Sequence, residues 1–172
     1  MRYTVFETDL GWIGALASPR GLKRITIPVS SPEEALRLLE GDLGDAELDP
    51  ESFGDLPDRV QRFLDGEEVS FPEALDLPRA TPFKRAVWEA TRAIPRGETR
   101  SYGDIAAQVG RPAGARAVGQ AMASNPIAIL IPCHRVITSD GGLGGYGGHI
   151  GMKKRLLEVE GARRPGSDLQ RS

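Results

Sequence analysis

Residues 131–137, Ile131-Pro132-Cys133-His134-Arg135-Val136-Ile137, hold the single cysteine of the 172-residue chain, directly followed by one of its two histidines. A thiol beside an imidazole suggests an activated nucleophile, because the thiolate is the attacking species and a nearby base makes more of it at neutral pH. Adjacency alone does not establish this. A lone cysteine is more often a small buried hydrophobe. In extended chain, moreover, neighbouring side chains point to opposite faces, so coupling them needs a turn or a bridging water. The apolar run Ile127-Ala128-Ile129-Leu130-Ile131 leads into the motif. Pro132, with no N–H to donate, should end regular hydrogen bonding there and leave the sulfur at the rim of a pocket.

Metal chemistry is a poor alternative. Cys133, His134 and His149 are the only Cys and His residues, and their spacing matches no structural zinc site. We expect no metal or other cofactor, and read His149 as a surface or loop-packing residue. One cysteine excludes an internal disulfide and fits a reducing compartment. No apolar run of about 18 residues and no basic-then-hydrophobic N-terminus is present. The expectation is a cytoplasmic protein with no membrane partner.

A net charge of -2 would argue against nucleic acid, but it conceals a division. Residues 1–80 carry 8 Lys+Arg against 17 Asp+Glu, giving -9, and residues 81–172 carry 14 against 7, giving +7. A basic half can neutralise phosphates; an acidic half would be repelled by them.

The elements that must position the thiol divide in the same way. Arg2-Tyr3-Thr4-Val5-Phe6-Glu7, Gly11-Trp12-Ile13-Gly14-Ala15-Leu16-Ala17 and Gly21-Leu22-Lys23-Arg24-Ile25-Thr26-Ile27 read as a three-stranded antiparallel meander. Ser31-Pro32-Glu33-Glu34 opens a helix, a short helix is expected from about Pro57 to Leu64, and Gly41 to Gly54 reads as acidic and irregular. Leu77-Pro78-Arg79-Ala80 looks like the connection between halves.

Thr81-Pro82 then caps a helix with Phe83, Val87, Ala90 and Ile94 on one stripe and Trp88 in the core. Ser101-Tyr102-Gly103-Asp104 is a capping pattern for a short helix ended by Gly110. A second helix is expected from about Ala113 to Ser124, making a helix-turn-helix candidate, a motif also common in proteins that never touch DNA. That helix is rich in Ala and Gly, with Arg116 its one long cation. Its small residues suit either tight helix packing or close approach to a narrow groove.

The motif at Cys133 resembles, at every position, the active-site signature of the O6-alkylguanine-DNA alkyltransferases, or methylated-DNA-protein-cysteine methyltransferases. Further segments occur in family order: Thr81-Pro82-Phe83 with Val87-Trp88, Ile94-Pro95-Arg96-Gly97-Glu98-Thr99 leading to Ser101-Tyr102, Arg116-Ala117-Val118-Gly119, Asn125-Pro126, Gly144-Gly145-Tyr146-Gly147-Gly148, and Lys153 to Gly161. The likeness is strong from Thr81 to Gly161 and only general before it.

The resemblance implies stoichiometric, irreversible transfer of an alkyl group from O6-alkylguanine in duplex DNA to Cys133. It assigns His134 as the base that takes the thiol proton through a water, and Glu160 as the group orienting that imidazole. Taken alone, Glu160 reads as a helix-surface carboxylate. Asn125 would brace the turn before the cysteine, Tyr102 would donate a proton to the base, and Val136, Tyr146 and Gly147 would line the alkylguanine pocket. Arg135 would tie the segment into the fold. Because the alkyl carbon is inaccessible within a duplex, the lesion must flip out. Arg116 would fill the vacated stack, with Ala117, Gly119, Ser101 and Tyr102 also facing DNA.

The fold so implied is α/β: a ribonuclease H-like α/β domain over residues 1–80, a mainly helical DNA-binding and active-site domain with a helix-turn-helix over 81–161, and a flexible tail over 162–172. The partner would be double-stranded DNA containing O6-alkylguanine, met by a monomer. Two other readings remain. A noncatalytic lesion sensor shares the DNA-binding half but replaces the cysteine, which this chain keeps; a cysteine hydrolase would turn over and leaves Tyr102 and Arg116 unexplained.

Overall fold

A computed structural model describes residues 1–144 and 149–161. The expected tail over 162–172 lies outside the described residues. The chain forms a mixed α/β structure of two compact units, Met1–Pro78 with Pro126–Ala128, and Arg79–Asn125 with the chain from Ile129. The division falls within Leu77-Pro78-Arg79-Ala80, but it returns the short segment 126–128 to the first unit.

In the first unit β1 (Arg2–Thr8), β2 (Gly11–Ser18) and β3 (Gly21–Ile25) form the antiparallel meander that their alternation predicts. Gly11 permits the tight β1–β2 turn. Its φ is 133°, and a Cβ there would lie 2.5 Å from the Val29 carbonyl oxygen. β2 is central and buries Ile13, Ala15 and Leu16. Helix α1 (Pro32–Leu43), capped by the Ser31 hydroxyl, packs against it so closely that a Cβ at Gly14 would meet Leu39 at 2.9 Å.

The stretch expected to be irregular contains more order than predicted. After α1 the chain returns as β4 (Glu47–Leu48), parallel to β1, and a 3-10 turn at Pro50–Phe53 leads to α2 (Leu56–Leu64). A strand of two residues has no readable period; it forms because Glu47 and Asp49 N–H groups donate to the Met1 and Tyr3 carbonyls. The far edge at β3 is covered in two places, by bridges to Leu75 and to Ile127, so little of it is left to template association.

The second unit begins with α3 (Pro82–Arg92), whose N-terminal Lys84 N–H is capped by Thr81. Trp88 is buried as expected, and its indole N–H donates to the Ala121 carbonyl at 3.0 Å. That bond ties α3 to α5 (Ala115–Ala123). α4 (Tyr102–Gln108) starts in a full capping box, and Gly110 at φ 83° turns the chain towards α5. α5 starts two residues later than expected, because Arg111 to Gly114 close a turn (Gly114 N to Arg111 O, 2.7 Å). The strands β5 (Arg100–Ser101) and β6 (Val136–Ile137) pair in parallel, and α6 (Ile150–Glu160) ends at Gly161 in the left-handed conformation. Among the described residues no helix is long and apolar enough to cross a membrane.

Candidate active site

The apolar run before Cys133 is buried throughout. It is not relaxed: Ile129 has φ 71°, which crowds a β-branched side chain against its own backbone. Pro132 then sits at φ -79° and ψ 65°, and Cys133 N–H donates across it to the Ile131 carbonyl at 2.7 Å. This is an inverse γ-turn. It passes into a 3-10 turn at Cys133–Arg135, so the chain is not extended where Cys133 and His134 adjoin. Asn125 donates its amide to the same Ile131 carbonyl at 2.9 Å, bracing the turn from the end of α5.

The sulfur is nearly covered, with Cys133 6% exposed. His134 is fully buried, and its Nε2 lies 3.1 Å from Glu160 Oε1. Glu160 occupies the last turn of α6 on the stripe shared with Lys153, Leu156 and Leu157, all of it buried. The surface position that its sequence alone favours is therefore not the one it takes. Helical spacing of three and four residues put it on the inner face, where a carboxylate survives only with partners. Arg135 supplies them: its Nε lies 3.0 Å from both Glu160 oxygens, its Nη2 bonds Oε2, and its Nη1 donates to the Ile94 carbonyl at 2.7 Å. Arg135 thus clamps the end of α6 to the end of α3.

These contacts set the protonation states. Burial pushes the Glu160 carboxyl up, but hydrogen bonds from His134 and Arg135, with their charges, outweigh it and bring it down to about 2. Burial pushes His134 below its ordinary value, against the pull of Glu160 and assisted by the charges of Arg135 and Lys153. The pair is therefore an ionised carboxylate and a neutral imidazole at neutral pH. With the Nε2 proton donated to the carboxylate, Nδ1 is the basic nitrogen.

The β5–β6 pairing sets Ser101 opposite Ile137, which brings the first turn of α4 to the cysteine turn. Tyr102 follows at once, half-buried, and its hydroxyl is pushed up by burial and by negative charge on Cys133. Ser101 is buried, its hydroxyl accepting from Asp104 N–H at 2.9 Å and its own N–H donating to Asp104 at 3.0 Å. The Val136 side chain is fully buried, and its carbonyl accepts from Lys153 Nζ at 2.6 Å. The other two expected pocket residues, Tyr146 and Gly147, lie outside the described residues.

Two neighbours, both within segments that carry the family resemblance, received no individual role from the sequence. Lys153 is fully buried against Tyr102, and Gly144, at φ 71°, lies so close that a Cβ would be 2.5 Å from the Tyr102 oxygen. The available signal for Lys153 was a charge on the apolar stripe of α6.

On α5, Val118, Ala121 and Met122 face inward, Arg116 is exposed, and Ala117 and Gly119 are half-buried. A Cβ at Gly119 would meet nothing within 4 Å. Helix packing therefore does not require a glycine there. Among the described residues no group of three or more His, Cys, Asp or Glu could hold a metal ion.

The family model for the 6-O-methylguanine DNA methyltransferase DNA binding domain matches residues 82–162. A methylated-DNA–protein-cysteine methyltransferase of Mycobacterium tuberculosis (strain H37Rv) is 52% identical over 117 residues, covering 68% of this chain and 70% of its own. One from Methanosarcina acetivorans is 37% identical over 163 residues, 94% of this chain and 99% of its own. Among solved structures, Mycobacterium tuberculosis OGT in complex with DNA is 39% identical, covers 96% of each chain and superposes with a TM-score of 0.81. The O6-methylguanine-DNA methyltransferase of Pyrococcus kodakaraensis is 31% identical and covers 93% of this chain and 99% of its own, with a TM-score of 0.74. With its buried cysteine turn and imidazole–carboxylate pair, and with a 37% identical relative matched over 94% of this chain and 99% of its own length, the chain belongs to the methylated-DNA–protein-cysteine methyltransferase family.

Proposed function

We propose that the protein repairs DNA directly, moving the alkyl group of O6-alkylguanine in a duplex onto Cys133 in a single irreversible event. The observation that carries this reading is the fully buried His134, bonded to Glu160 and following Cys133 on a tight turn. A neutral imidazole with its Nδ1 basic suits removal of the thiol proton through a water, and the ionised carboxylate stabilises the imidazolium that results. The thiolate then attacks the alkyl carbon; the C–O6 bond breaks, guanine is restored and a thioether remains. No step regenerates the thiol.

Tyr102 is the group we assign to meet the charge growing on the departing base, by donating its phenolic proton. Asn125 holds the turn that presents the sulfur, and Val136, Tyr146 and Gly147 belong to the pocket wall. No cofactor is required by this chemistry.

DNA would be met by α4 and α5 acting as a helix-turn-helix, with α5 in the minor groove. The open space beside Gly119 supports that placement: a small residue that packing does not demand leaves room for a backbone or sugar. Arg116 would fill the stack left by the flipped base, flanked by Ala117, while Ser101 and Tyr102 face the strand at the start of α4. The +7 charge of residues 81–172 supports phosphate contacts without base reading. The first unit, with its antiparallel meander crossed by α1, fits a ribonuclease H-like structural module; the protein would act as a monomer in the cytoplasm.

Retention of Cys133 favours transfer over passive lesion sensing. Cys133→Ala should bind an O6-methylguanine duplex and accept nothing. Methyl transfer by that variant would refute the assignment of the acceptor.

A further inference from the structure

The transfer chemistry above gives no part to Lys153, although the residue is fully buried. Desolvating an ammonium costs several kcal/mol, and Leu156 and Leu157 on the same face of α6 illustrate what packs there without that cost. Lys153 Nζ donates to the Val136 carbonyl at 2.6 Å and to the Tyr102 hydroxyl oxygen at 3.3 Å, and lies 5.5 Å from the centre of the Tyr102 ring. An ammonium has three protons to donate and no lone pair to accept with. The bond between the two residues therefore has one direction: lysine donates, and the phenolic proton of Tyr102 must turn elsewhere. Backbone at Gly144 also lies against Tyr102, so close to its hydroxyl that no side chain fits there.

We propose that Lys153 is a positioning residue for alkyl transfer, fixing Tyr102 as a proton donor to the departing guanine and keeping positive charge beside the Cys133 thiolate. This rests on the function proposed above and adds a source for the proton. As sulfur bonds to the alkyl carbon, the C–O6 bond breaks and its electron pair passes into the guanine ring. The Tyr102 proton moves to the base and the phenolate oxygen takes a proton from Lys153; the neutral amine is later reprotonated through solvent as the His134 imidazolium gives up the thiol proton it took. Charge is thereby conserved at each stage, with thiolate and ammonium both neutralised.

Among the described residues, the titratable groups that interact with Lys153 include Tyr102 from α4 and Cys133 and His134 from the cysteine turn. Burial lowers its pKa to about 8, against the pull of negative charge on Cys133. Above that pH the neutral amine can accept, the Tyr102 proton can turn towards it, and transfer should slow.

Single-turnover methyl transfer from an O6-methylguanine duplex tests this from neutral to alkaline pH. The wild-type rate should fall above pH of about 8. Lys153→Met, which keeps the packed stem, should be slower at neutral pH by about a hundredfold and lack that alkaline limb. Lys153→Arg should retain more activity and move the limb upward, since arginine stays charged. Tyr102→Phe should cost far less in the Lys153→Met background, within about threefold, than in the wild type. A wild-type rate that is flat through the alkaline range, a Lys153→Met variant as fast as wild type, or fully multiplicative effects of the two substitutions would each overturn the proposal. Those readings require wild-type transfer. A folded wild type that transfers nothing would instead remove the proposed function, and this role with it.

Discussion

In the first unit, oppositely charged side chains meet mostly in water: Arg2 with Glu47 and Asp49, Arg24 with Asp42, Arg62 with Glu67. In the second, His134, Glu160 and Lys153 are buried, and Arg135 is nearly so. The two arrangements follow different physics. An exposed pair gains little, because water screens it and two long side chains must be ordered to make it. A buried set must offset a large desolvation cost with close hydrogen bonds, and as an aid to stability alone it would lose to a well-packed apolar core. Charges retained at that cost, with protonation states displaced from their ordinary values, mark where the molecule spends stability on chemistry. The first unit even shows an intermediate case, Arg59, which bonds Glu73, Asp55 and the Ser70 carbonyl and so fastens the irregular chain after α2.

The comparison breaks most severely at Glu160. Glu160→Gln would leave Arg135 and His134 without their carboxylate. Stability should drop by about 3–5 kcal/mol and transfer by at least about a hundredfold, read by chemical denaturation and single-turnover rate. The pH dependence follows with a definite sign. Glu160 titrates at about 2 against an ordinary 4.5, so its contribution is present above about 4.5 and lost as pH falls towards 2. His134, pushed below 6.5, adds a contribution that is likewise lost on acidification. The wild type should therefore weaken below about pH 6.5, and Glu160→Gln should show a shallower loss between 4.5 and 2.

A smaller effect is expected at Gly144→Ala. The new methyl group would displace the Tyr102 ring, and a misplaced donor should slow transfer by about tenfold to a hundredfold. The left-handed φ of 71° adds about 1 kcal/mol of destabilisation. Kinetics and thermal unfolding on the same preparation would separate the two.

Arg116→Ala tests the exposed face of the second unit. Duplex affinity should weaken by about tenfold, while the rate at which iodoacetamide consumes Cys133 stays unchanged. Equal loss of both would move Arg116 from DNA contact to site structure. Least of all should follow from Arg62→Ala in the first unit: under about 1 kcal/mol of stability and no change in transfer.

What could be read in advance was local. Ser31, Thr81 and Ser101 cap helices with their own neighbours, and the β1–β2 hairpin is set by alternation around a turn, so both are written in adjacent residues. The Cys133 motif was legible as chemistry and, through resemblance, as a family. The remainder depends on pairings between distant positions. β4 exists only because it meets β1, Ile129 takes a positive φ that its own residue type disfavours, and the burial of Glu160 and Lys153 is decided by which face of α6 turns inward. That face did carry a hint, since Lys153, Leu156, Leu157 and Glu160 share one helical stripe. Charges at both ends of an apolar stripe are either an error of pattern or a site.

The most direct test of the account incubates the purified protein with a duplex containing O6-methylguanine and measures intact-protein and peptide masses. We predict a gain of one methyl group per molecule, located on the peptide bearing Cys133, with guanine restored in the duplex. Tight binding with no change in mass, or a methyl group on any other residue, would contradict it.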